Sequence, residues 1–82
     1  MTKILLIKVG NRPKNAVKVQ EILTRFGCNI KTRLGLHEFS SECESQDEGI
    51  IILELIGEQT EIEKMMSELE KLESVKAIYQ EL

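Results

Sequence analysis

Eighty-two residues, 41% of them hydrophobic, make a single domain, one small enough to bury only about 60–65% of the surface its unfolded chain exposes. Its apolar runs stop far short of the ~18 residues a membrane span needs. Met1-Thr2-Lys3 leads directly into a strand rather than a signal peptide, and two cysteines make no disulfide framework, so a cytoplasmic location with reduced thiols is expected.

The net charge of −3 is unevenly spread. Residues 1–33 carry eight Lys or Arg against one acid (+7), and residues 34–82 carry three Lys against thirteen acids (−10). Such a split favours pairing between regions, within the fold or between subunits, over a nucleic-acid surface.

In chain order, Lys3 to Val9 reads as a strand, and Gly10-Asn11-Arg12-Pro13 as a turn whose proline suits the first turn of a helix. A helix over 13–26 follows, with Ala16, Val19, Ile22, Leu23 and Phe26 as its apolar stripe and Gly27 just past its end. The segment from Cys28 to Leu36 alternates as a strand. Cys28, Ile30, Thr32, Leu34 and Leu36 face one way, and Lys31, Arg33 and Gly35 the other. Glu38 to Glu48 is a polar, acidic hairpin loop.

The run Ile50-Ile51-Ile52-Leu53-Glu54-Leu55-Ile56 is a strand that is apolar on both sides. A strand covered on one face alone would alternate. Thr60 to Glu63 has the pattern of a capping box, opening a helix over 60–72 with Ile62, Met65, Met66, Leu69 and Leu72 as its stripe. Val75 to Gln80 is the last strand.

The order is β-α-β-β-α-β. Two right-handed crossovers joined by a hairpin interleave into a four-stranded antiparallel sheet of order 4-1-3-2 with both helices on one face, an α+β ferredoxin-like sandwich. If the apolar set of the second strand faces the helices, the other face carries Ile4, Leu6, Ile50, Ile52 and Ile56 with Lys8 and Glu54, and Lys31, Arg33 and Gly35 on the edge. Two helices cannot cover both faces. A homodimer or tetramer that buries the open face is therefore expected, burial of each aliphatic side chain contributing about 1.5–3 kcal/mol.

The chain resembles the ACT group of small regulatory domains and, along nearly its whole length, the iron-only hydrogenase system regulators. The likeness rests on Asn11-Arg12, Ile30 to Gly35, Gly49 to Leu53 and Leu69 to Lys76. It implies a regulatory, ligand-sensing and oligomerising domain, with Gly10, Asn11 and Arg12 at a pocket for an amino acid or similar molecule. The ACT loop has glycine directly after its proline, where this chain has Lys14. Arg12 and Arg33 are the natural holders of an anion, since guanidinium grips carboxylate or phosphate bidentately, and Gly35 beside Arg33 permits close approach. The competing role for Arg33 is an ion pair with Glu54.

Other readings have less behind them. His37, Cys43 and the loop acids could ligate a metal, as in a metal-responsive effector domain, but the fold's nickel-responsive members carry a histidine cluster that is absent here. Their expected role is a solvated loop, with no metal and no cofactor. An RNA-binding sheet needs exposed aromatics, and the chain has only Phe26, Phe39 and Tyr79. No nucleophile–base pair suggests an enzyme, and no helix-turn-helix suggests direct DNA binding. Cys28 is expected to be buried, and Met65 and Met66 to fill the core.

Overall fold

The computed structural model describes residues 1–10, 13–37 and 49–82, and for 13, 14 and 37 the backbone only. Four strands, β1 (Lys3–Val9), β2 (Ile30–His37), β3 (Gly49–Leu55) and β4 (Val75–Glu81), form one antiparallel sheet in the order β2-β3-β1-β4. Helices α1 (Pro13–Arg25) and α2 (Gln59–Glu70) supply the crossovers. This is the ferredoxin-like sandwich expected from the order of apolar patterns.

Alternation in β1 and β3 places Leu5, Ile7, Ile51 and Leu53 under the helices, each at most 8% exposed. They meet Val19 and Leu23 of α1 and Ile62, Met65 and Leu69 of α2 in one apolar core. Met66 packs at its margin. Because β1 and β3 are the central strands, their helix-facing residues have core neighbours on every side.

Three local expectations are corrected. The stripe of α1 begins at Asn15, which is buried, and Ala16 is exposed. Spacing of 15, 19, 22, 23 and 26 keeps one face, and the Asn15 amide is satisfied by donating to the carbonyl of Glu73. Helix α2 starts one residue before Thr60. Its N-cap is Glu58, extended at φ −69° and ψ 135° with no side-chain capping bond, so the capping box does not form. Past α1 the chain makes a 3-10 turn, Gly27–Asn29, rather than a left-handed glycine cap, and it leaves Cys28 exposed.

The largest correction concerns β2. Ile30 pairs with Leu55, but Thr32 pairs with Glu54, so two residues of β2 advance against one of β3. Lys31 is the extra residue of a β-bulge, and an inserted residue reverses every side chain after it. Ile30 packs against the core as expected, whereas Leu34 and Leu36 pair with Ile52 and Ile50 and share the open face. Arg33 and Gly35 pair with Leu53 and Ile51 and so lie on the helix side, not on the open face.

Candidate functional site

The turn after β1 is locked to the turn before β4. Gly10 donates its backbone N–H to the carbonyl of Ser74 at 2.6 Å, and Asn15 reaches the neighbouring carbonyl of Glu73. A Cβ on Gly10 would stand 2.6 Å from the Cβ of Ser74 and 3.0 Å from its carbonyl oxygen. Ser74 itself is held at φ 61°, a left-handed conformation that L side chains seldom adopt. Glycine at 10 is thus required by a contact with the chain's own backbone. We expect Gly10→Ala to cost about 1–3 kcal/mol in urea unfolding, the usual range for overpacking; an unchanged midpoint would show that the two turns separate freely. Asn11 and Arg12 lie outside the described residues.

Arg33 hydrogen-bonds the side chain of Gln20 on α1, as its place on the helix side requires. The expected Arg33–Glu54 pair is replaced by Lys31, whose ammonium lies 3.7 Å from Glu54, while the Thr32 hydroxyl is 3.4 Å from the same carboxylate. Nothing within 4 Å would obstruct a Cβ on Gly35. Gly10 and Arg33 are five residues apart along the strand direction and two strands across, roughly 20 Å by ordinary strand geometry. Gly10 and Arg33 are therefore well separated in one chain. Sequence reasoning also missed an open groove of ≈ 570 Å³ between the helices, rimmed by Lys18, Arg25, Lys64 and Lys71 and bridged by an Arg25–Glu68 pair at 2.6 Å.

The open face is more apolar than the sequence suggested. Register aligns Leu34, Ile52, Leu6 and Ile78 in one row across all four strands. Leu34 is 50% exposed and Ile78 49%, so the row runs to both sheet edges uncovered. Leu36 and Ile50 extend it toward one end and Ile4 toward the other. Ile56, one residue past β3, is exposed too and donates its N–H to the Asn29 carbonyl at 2.9 Å. Leu34, Leu36 and Ile78 were the residues missed; the first two needed the bulge to be seen, while Ile78 was legible as the odd side of an alternating strand.

Among the described residues no three His, Cys, Asp or Glu side chains come together to hold a metal. Among the described residues no helix is long and apolar enough to cross a membrane. Tyr79 lies on the helix side, its hydroxyl 3.4 Å from Gln59, and its pKa is raised above 10.0 chiefly by desolvation. Phe26 is buried, so neither of the two aromatics among the described residues, Phe26 and Tyr79, is presented on the open face.

The fold is similar to that of an uncharacterized protein from Thermotoga maritima, with a TM-score of 0.81 and 26% identity over 96% of this chain and 92% of that one. It is similar as well to CPII from Thiomonas intermedia K12, a protein solved with ADP, AMP and acetate bound. There the TM-score is 0.63 at 14% identity, over 96% and 83% of the two chains, a likeness of fold. No family model and no curated protein matches the sequence.

Proposed function

We propose that this chain is a small regulatory module rather than an enzyme, one that assembles with copies of itself through the open face of its sheet. It senses a small anionic or amino-acid-like ligand, in the cytoplasm, in the manner implied by its resemblance to the iron-only hydrogenase system regulators. The observation that carries the reading is the uncovered row Leu34–Ile52–Leu6–Ile78. Four strands of seven or eight residues span roughly 19 by 24 Å, and the corrugated side-chain surface exposes more area than that projection. Closing it against a copy approaches the roughly 600–800 Å² per partner of small stable interfaces. Aliphatic side chains in place of aromatics favour this use over base stacking.

Ligand binding in this reading falls to Arg12 and Arg33, with Gly10 and Asn11 in the same turn as Arg12 and Gly35 permitting close approach. Because Gly10 and Arg33 stand far apart in one chain, this reading joins the two parts of the site across a subunit boundary, which would link sensing to assembly. Native mass spectrometry of protein purified from its source tests both parts. The expected result is a mass of two or more chains of 9.4 kDa each. A thermal-shift screen of amino acids, carboxylates and adenine nucleotides should then give a stabilisation that Arg12→Ala or Arg33→Ala reduces. A bare monomer would overturn the assembly, and a shift unchanged in both variants would remove the two arginines as the site.

A further inference from the structure

We propose that the groove between α1 and α2 binds the diphosphate group of a small molecule, held by Arg25, Lys18 and Lys71. The groove lies on the helix layer, away from the open face, so assembly through the sheet leaves it accessible. Helix α1 follows β1 and α2 follows β3, and those strands are antiparallel, so the two helices run in opposite directions. Lys18 and Lys71 therefore stand toward one end of the groove, and Arg25 and Lys64 toward the other. The floor is apolar: Ile22 is buried and Leu72 packs against the core. A volume of ≈ 570 Å³ falls in the range of small-molecule sites.

Charge sets this groove apart from the rest of the chain. Its four cations against the carboxylates Glu21 and Glu68 leave a net +2 on a chain of net −3. Residues 34–82 carry three lysines, and two of them, Lys64 and Lys71, line the groove. Lys64 is engaged by Glu61 at 3.3 Å. Arg25 is fixed from two sides, 2.6 Å from Glu68 and 5.7 Å from the centre of the Phe26 ring. A guanidinium has five N–H donors, so the bond to Glu68 orients it and leaves others for a ligand. Among the described residues Lys18 and Lys71 make no hydrogen bond or ion pair. Ser67 adds a neutral hydroxyl donor to the wall.

An oriented guanidinium fork joined by mobile ammonium charges is the donor set that suits phosphate. Lys18 and Arg25 are seven residues apart on α1, about 10 Å along the helix axis. Flexible lysine stems shorten that span, so an extended anion such as a diphosphate meets both ends of the groove. A single carboxylate meets one.

Titration of the isotope-labelled chain with pyrophosphate at low salt, followed by amide shifts in NMR, tests the site, with circular dichroism to verify that each variant is folded. Saturable shifts should centre on Lys18, Ile22, Arg25, Ser67 and Lys71. Lys18→Ala and Lys71→Ala should each weaken binding roughly tenfold, the worth of one charge-assisted contact. Lys76→Ala, on the opposite face of the sheet, should leave affinity unchanged. Inorganic phosphate and succinate should bind more weakly than pyrophosphate. Arg12→Ala and Arg33→Ala should bind pyrophosphate in the groove as wild type does, so this site and the one proposed above are read separately. Shifts that fail to saturate, or that spread equally to Lys3, Lys31 and Lys76, would reduce the contact to counter-ion attraction and overturn the site. Equal affinity for succinate, unchanged affinity in both lysine variants, or saturable shifts confined to Gly10 and Gly35 would overturn it as well.

Discussion

Ile52→Glu is expected to yield a folded monomer. Ile52 stands in central strand β3, between Leu34 on one side and Leu6 on the other, at the middle of the apolar row. In the free chain its side chain points away from the core, so a carboxylate there meets water and the fold is retained. In the proposed assembly the same carboxylate would lose its hydration against aliphatic side chains. Burial of an unpaired charge is costly enough that ionisation or association gives way. A penalty of about 4 kcal/mol raises the dissociation constant roughly a thousandfold. Sedimentation equilibrium over a broad concentration range measures it, with circular dichroism to show that the chain is folded. A variant that assembles as tightly as wild type would mean that the sheet face is not the contact.

One residue further along, Leu53→Ala should do the opposite, sparing the interface and damaging the fold. Leu53 is fully buried, on the helix face, paired with Leu5 and Arg33. Removing its three outer carbons forfeits their transfer free energy and leaves a cavity that neighbouring strands cannot close, a cost of about 3–5 kcal/mol. For a domain of this size each kcal/mol lowers Tm by about 4–8 °C, so a fall of roughly 12 °C or more is expected. Association stabilises the folded form by mass action, and the measurement is cleanest in the Ile52→Glu background. A loss under 1 kcal/mol there would contradict the placement of Leu53 in the core. Together the two substitutions separate the faces of one strand.

The outline of this fold was legible because it depends on periodicity. Helix stripes at Ile22, Leu23, Ile62, Met65 and Leu69 announce which surfaces are covered, and the apolar run of β3, broken only by Glu54, announces that its other face is apolar too. The arrangement of β2 was not legible. Ile30, Thr32, Leu34 and Leu36 alternate as if one surface held them all, and a bulge at Lys31 leaves no mark in composition. Its position is set by pairing with β3, so reading β2 alone assigned Arg33 to the wrong side and hid two leucines of the open face. Asn15 was missed for a related reason. A polar residue belongs in a buried stripe only if a partner awaits it, and that partner is a backbone carbonyl 58 residues away. The close approach of Gly10 to Ser74 is equally remote in sequence. Of the candidate ligand residues, chemistry identified Arg33 by type, but its neighbour Gln20 comes from another element, and Arg12 and Asn11 lie outside the described residues.

The strand order has a consequence for how the chain folds and comes apart. Central strand β1 pairs with β3 and β4, both drawn from the second half of the sequence, while β2 from the first half joins the sheet only through β3. Neither β-α-β half therefore owns a sheet of its own, because every pairing is between halves. Only the β2–β3 hairpin is local; both ladders of β1 must close long loops before they form, which slows folding relative to a helical bundle of equal length. Once formed, the ladders have no natural seam. Unzipping β1 removes the pairing of β4 entirely and strands β2 and β3 as a hairpin, so the sheet opens as one cooperative unit rather than as two.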